Sequence, residues 1–177
     1  HVFMRSLPTL LKERPNAEVL IVGKEGVSYG AQPAGGLSWK QRFSNEVFPQ
    51  LDESQRSRVH FLNTIPYDRF IALLQVSTVH VYLTYPFVLS WSLLEAMSVG
   101  CSIVASDTQP LREAITHDET GVLVDFFDPE ALAESVCSLL NDPAKRVKLG
   151  VRAREFAKAN YDLKTVCLPK QIQWVEE

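Results

Sequence analysis

Short apolar runs alternate with segments of helical periodicity from residue 17 to residue 124, and this alternation restricts the fold more than any other feature. Residues 17–23 (AEVLIVG) form the first run, and 58–62, 79–84, 101–106 and 121–124 follow. Each is short and rich in β-branched residues or Leu, which suits a strand in a parallel sheet. Between them, apolar spacing predicts helices at about 2–13, 38–51, 67–76, 90–99 and 110–116. Asp128-Pro129-Glu130 opens another helix, since Asp caps free N–H groups and Pro fits the first helical position. Asp142-Pro143 repeats the device, so helices are expected at about 129–141 and 143–159, with a final one after Asp162. The class is α/β: a Rossmann-like parallel sheet with helices on both faces. Ligands of such sheets bind at the carboxyl ends of the strands. The loops of interest are therefore 23–38, 63–66, 84–90, 106–110 and 117–120.

A chain of 177 residues with 46% hydrophobic residues fits one domain, 1–177, able to bury a core without disulfides or metals. A net charge of -3 with no basic stripe argues against nucleic acid as a partner. Cys101, Cys137 and Cys167 are odd in number and lack metal-ligand spacing. They read as reduced thiols in a cytoplasmic setting, with no metal site. No apolar run approaches the ~18 residues of a membrane span. The N-terminal stretch carries Arg5 and Pro8 and does not read as a signal peptide. A chain opening on His1 reads as beginning within a longer protein.

Residues 84–100 (TYPFVLSWSLLEAMSVG) hold the most chemistry. A strand ends, a Tyr-Pro turn follows, and a helix starts near Ser90. The N–H groups of Ser90, Trp91 and Ser92 would point out of the carboxyl edge as an anion site, reinforced by the helix dipole. Glu95 lies about one and a half turns in. A carboxylate there can accept two hydrogen bonds from a vicinal diol such as a ribose. Residue chemistry alone leaves two readings open, this one and an ordinary cap followed by a solvated Glu.

The runs SLLEAMSVGCSIVASD and PLREAITHDETGVLVDFFDPEALAESVCSLLNDP resemble the C-terminal domain of group 1 glycosyltransferases. These are glycogen-synthase-like, mostly retaining enzymes that use nucleotide-sugar donors. AEVLIVGKEG and VHFLNTIPYDRFIALLQVSTVHVYLT extend the resemblance over nearly the whole chain. It implies one lobe of a GT-B fold and a nucleotide-diphosphate sugar as donor substrate, with no separate cofactor. Glu95 would hold the ribose, the helix start at Ser90, Trp91 and Ser92 the distal phosphate, and Thr64 and Ile65 the nucleobase. Gly23 and Gly26 would form the glycine turn beside the cleft. Phe87 stands where the family carries the first glutamate of its E-x7-E motif, so no catalytic residue is assigned. The resemblance further implies that a strand and loop bearing an Arg and a Lys, and an N-terminal domain holding a sugar, lipid or small-molecule acceptor, precede His1. The fragment is then expected to bind nucleotide feebly and to transfer no sugar.

Other residues carry competing readings. His80 reads as a core or sheet-face histidine rather than a ligand, while His117 stays open as a site residue. Glu113 is expected to order its loop, Asp107 to cap the next helix and Tyr82 to pack; Tyr85, Trp39 and Trp91 are undecided. Lys145, Arg146, Lys148, Arg152 and Arg154 form a solvated face or a peripheral contact with anionic lipid. The last helix has an apolar face that would support self-association. Two other functions remain as alternatives: a nucleotide-sugar epimerase on the same scaffold, and a non-catalytic regulatory α/β module.

Overall fold

The computed structural model describes residues 1–27, 31–85 and 88–177. Among the described residues there are five strands: β1 (Val19–Val22), β2 (Val59–Leu62), β3 (His80–Tyr82), β4 (Ile103–Ser106) and β5 (Val122–Val124). Every ladder is parallel, as the alternation requires. Val19 pairs with Val59 between β1 and β2, His80 with Ile103 between β3 and β4, and Val104 with Val122 between β4 and β5. The strands do not form the single five-stranded ladder that the sequence pattern suggests. They divide into β1-β2 and β3-β4-β5. Alternation with helices dictates parallel direction, because each return needs a crossover, but it carries no information on which strands are neighbours.

Helices α1 (Val2–Glu13), α4 (Tyr67–Val76) and α5 (Trp91–Val99) lie where the periodicity puts them. So do α7 (Pro129–Asn141) and α8 (Pro143–Tyr161), whose Asp caps are made: Asp128 accepts from the Ala131 amide at 2.9 Å and Asp142 from the Lys145 amide at 2.8 Å. Other boundaries move. The helix expected over 38–51 breaks into α2 (Trp39–Val47) and a 3-10 turn over Phe48–Gln50 that holds Pro49. An unexpected α3 (Glu53–Ser57) follows, started by a capping box in which the Asp52 side chain and Gln55 bond reciprocally. The segment expected as helix at 110–116 is only α6 (Gln109–Arg112), and the last helix, α9 (Leu168–Glu176), follows a π-helical turn over Leu163–Cys167.

The core has two layers, one on each face of β4, whose four residues are all buried. Because successive strand residues point to opposite faces, Val104 joins Leu7, Leu11, Leu132 and Val136 of α1 and α7, while Ile103 and Ala105 join Leu93, Met97 and Ala153 of α5 and α8. Each fully buried Leu contributes ~1.5–3 kcal/mol of transfer free energy. Arg58 ties the α1 terminus to β2 by donating to the carbonyls of Leu11, Arg14 and Ala17 at 2.9–3.0 Å.

Helices α5 and α8 meet backbone to backbone. Gly100 ends α5 in the left-handed region (φ 85°), which favours glycine. A Cβ placed on Gly150 would lie 2.2 Å from the Gly100 carbonyl oxygen. Gly150→Ala must therefore push α8 off α5, and overpacking of this kind costs ~1–3 kcal/mol. The expected result is a melting temperature lower by on the order of 5 °C in thermal unfolding; an unchanged value would mean that the helices separate without loss.

His80 in β3 is half-buried, in keeping with its reading as a core or sheet-face histidine. Its Nε2 is buried without a partner among the described residues, and burial pushes its pKa down to about 4. The unfolded value lies near 6.5, so this contribution to stability is complete above about pH 6.5 and is lost as pH falls toward 4. His80→Phe is expected to narrow the gap in urea midpoint between pH 7 and about pH 4.5 relative to the parent. An equal gap in both proteins would remove His80 from the acid response.

Candidate functional site

Four of the five loops singled out from sequence follow a strand and lie at the carboxyl edge. The fifth, 117–120, does not. It precedes β5, and in a parallel ladder that puts it at the opposite, amino edge. His117 accordingly serves structure there: its Nδ1 accepts from the Leu123 amide at 3.0 Å, and its backbone bridges to Gly121. The carboxyl-edge loop after β5 is Asp125-Phe126-Phe127, for which the sequence reading made no provision. Its signal was present, two adjacent aromatics between a strand and an Asp-Pro cap.

The loop after β3 is anchored by the end of β4. Ser106, fully buried, donates its hydroxyl to the Thr84 carbonyl at 2.8 Å and accepts from the Thr84 amide at 3.0 Å. The side chain thus adds a rung to the ladder just where the chain leaves it. Phe87 lies outside the described residues. The chain then enters α5 with Ser90 as its cap, the hydroxyl accepting from the Ser92 amide at 3.3 Å and lying 3.0 Å from the Ser92 hydroxyl. The Ser92 amide, expected to face a phosphate, is thereby engaged by the cap. Ser90 and Ser92 are half-buried, and Trp91 is 86% exposed.

Glu95 is half-buried one and a half turns into α5, and Tyr67 approaches it from the start of α4. Hydrogen bonding to the Glu95 carboxylate raises the Tyr67 hydroxyl pKa above its ordinary value. The loop holding Thr64 and Ile65 leads through Pro66 into α4, which packs against α5. Thr64 is exposed and Ile65 half-buried. At β1, the Gly23 amide extends the ladder to the Leu62 carbonyl at 3.1 Å, and Gly23 then turns at φ 155°. Gly23 and Gly26 are exposed, with nothing within 4 Å of where a Cβ would sit. Beyond them, Glu25 accepts from the Ser38 hydroxyl at 2.9 Å, and Lys40 lies 4.9 Å over the Phe61 ring.

On the other side of β3, a cleft of about 500 Å³ opens between the loops after β3, β4 and β5. Tyr85, Phe126 and Phe127 form an edge-to-face cluster with centroids 5.0–5.6 Å apart. Opposite them, Arg112 donates to both oxygens of Asp107, at 2.6 and 2.8 Å, which holds the Asp107 pKa below the usual carboxylate value. Asp107 was expected to cap α6; the cap position belongs to Thr108, and the carboxylate reaches Arg112 instead. Glu113 is exposed and accepts no hydrogen bond among the described residues, so it does not order the loop in the way expected. Tyr82 packs in the second core layer, and Trp39 stacks on Phe43 at 5.6 Å.

Among the described residues no three His, Cys, Asp or Glu gather as a metal would need, and no helix is long and apolar enough to cross a membrane.

Known proteins share this organisation. The chain is 26% identical over 159 residues to a D-inositol 3-phosphate glycosyltransferase of Corynebacterium efficiens, a match covering 89% of this chain and 35% of that protein. It therefore spans about a third of that relative's length. The structure of Anabaena Alr3699/HepE in complex with UDP superposes on all of this chain and 45% of that one, with a TM-score of 0.78 at 20% identity. The C-terminal domain of LpcC, a group 1 family glycosyl transferase of Francisella tularensis, matches 92% of this chain and 79% of that one, with a TM-score of 0.75 at 18% identity. The family model for group 1 glycosyl transferases matches residues 1–156, and the chain belongs to that family.

Proposed function

We propose that this domain binds a nucleotide-diphosphate sugar at the carboxyl edge of its strands and serves as the donor half of a retaining glycosyltransferase. The observation that carries the reading is the meeting of three parts: a Ser-capped helix start directly after β3, Glu95 on that helix, and the 63–66 loop, which leads into α4 where that helix packs against α5. Amides at the start of α5 and the helix dipole suit the distal phosphate. Glu95 accepts from the two ribose hydroxyls. Thr64 and Ile65 flank the base with backbone groups, the Tyr67 ring lies beside them, and Gly23 and Gly26 leave room for the ligand at the end of β1. Binding then uses no cofactor and no metal.

Transfer belongs to the longer protein, in which a sugar, lipid or small-molecule acceptor docks against this edge from a second domain. A leaving diphosphate gathers charge in the transition state. Helix-start amides alone hold it weakly, so the 177 residues by themselves bind nucleotide feebly and turn over no sugar. Three unpaired thiols fit a reducing, cytoplasmic setting. Contact with anionic lipid would fall to Lys148, Arg152 and Arg154, because Lys145 pairs with Asp118 at 2.7 Å and Arg146 donates to the Leu139 and Leu140 carbonyls. Self-association would use Ile172 and Val175 of α9, which are 48% and 77% exposed.

Titration with UDP, GDP and ADP tests the site. One nucleotide is expected to bind in preference to the others, and Glu95→Ala to weaken it ~10–100-fold, the loss of hydrogen bonds to a charged group. Equal affinity in parent and variant would move the ribose away from Glu95.

A further inference from the structure

We propose that the outward face of α8 is a docking surface for an anionic lipid bilayer, which the domain meets side-on. The proposal deepens the lipid contact named in the preceding section. It rests on the donor reading only for its use in the reaction, and docking itself needs no nucleotide.

Positive charge is concentrated on this helix. α8 spans 19 residues, a length of about 28 Å. It holds six of the chain's 18 Lys and Arg but a single one of its 21 Asp and Glu, Glu155. A chain of net charge -3 thus presents one strongly basic side. Two of the six cations are spent within the fold, Lys145 on Asp118 and Arg146 on the Leu139 and Leu140 carbonyls of α7. Lys148, Arg152, Arg154 and Lys158 are exposed and form no ion pair among the described residues.

Apolar groups lie between these cations. The inward face of α8 buries Leu149, Ala153 and Ala157. On the outward face Val147 and Val151, one turn apart, are 67% and 51% exposed. With about 100° between successive residues, Lys148 and Arg152 flank this line on one side and Arg154 on the other, while Lys158 continues it. Lys and Arg stems reach beyond a valine, so the cations meet lipid phosphates while the valines settle among the headgroups. Glu155, the one opposing charge, stands three residues from both Arg152 and Lys158, within reach of compensation by either.

Shape selects the partner. The face is the convex side of a single helix, and its exposed line of two valines offers no aromatic anchor. Protein partners are held by large anchors seated in pockets. The hollow at the start of α8, about 440 Å³ beside Lys145 and Lys148, is also lined by Asp118 and Asp142, which disfavours an acidic peptide there. A continuous anionic plane, by contrast, is met by all four free cations at once. Since α8 covers α5 on one face of β4, a bilayer on its outward side lies along the sheet and leaves the carboxyl edge open at the rim. An acceptor carried in that bilayer then reaches the edge laterally.

Co-sedimentation of the 177-residue chain with vesicles tests the proposal. Phosphatidylcholine vesicles with about a third phosphatidylglycerol are expected to bind it at least ~10-fold better than phosphatidylcholine alone. Each basic residue at such a surface changes partition roughly five-fold, so Lys148→Glu/Arg152→Glu/Arg154→Glu should lower binding on the order of 100-fold. Lys12→Glu/Arg69→Glu/Lys170→Glu changes the net charge equally at exposed positions elsewhere and should cost less than about five-fold. Both triple variants should keep the parent's melting temperature and its UDP titration, so a failure of the nucleotide site leaves the vesicle result readable. No preference for the anionic vesicles, or an equal loss in the two variants, would overturn the proposal. So would equally tight binding of poly-L-glutamate, which would make the face a site for an acidic protein.

Discussion

Everything at the carboxyl edge depends on how closely α8 can approach the end of α5. The two helices touch through backbone, at Gly150 and Gly100, because neither position carries a Cβ. This contact seats the C-terminus of α5 against α8 and lets Leu93, Ala96 and Met97 reach β4 with no exposed surface. The apolar face of α5 is thereby fully committed. Its remaining face carries the half-buried Glu95, and its N-terminus is left at the sheet edge. A helix that is to present a ligand group needs its buried face fixed by packing, and in α5 two glycines at the C-terminal end secure that face.

The strands impose the second constraint. β4 is buried on both faces and paired on both edges, so its end cannot shift. Ser106 uses that immobility. With a donor and an acceptor on one hydroxyl, it prolongs the β3–β4 ladder by holding both backbone groups of Thr84. The loop after β3 then leaves from a defined point, with Tyr85 turned toward the Phe126–Phe127 cluster and the chain continuing to the cap at Ser90. A serine at the end of a buried strand thus sets where both parts of the edge begin.

What the sequence makes legible follows from how local each signal is. Caps and turns are local: Asp128, Asp142 and Ser90 each bond within three residues, and α4 covers the predicted 67–76. The capping box at Asp52 is as local and was still passed over, because α3 is too short to show apolar periodicity. Strand adjacency is not local, so the division into β1-β2 and β3-β4-β5 left no trace in the apolar runs. The same holds for side-chain partners from separate elements. Glu95 stands out in the sequence as a carboxylate in an apolar stretch, yet its setting beside α4 requires α4 and α5 to pack. The 117–120 loop was assigned to the wrong edge for a related reason: α6 is so short that the chain is already back at the amino end when it reaches His117.

The two sides of β3 also differ in what they ask of water. At the start of α5 the Ser92 amide is taken by the Ser90 cap, and the amides left over, with the helix dipole, suit an anion that stays partly hydrated. Around Tyr85 and Phe127 the exposed aromatic surface gains only when water leaves it, and the Asp107–Arg112 pair strengthens as the local dielectric falls.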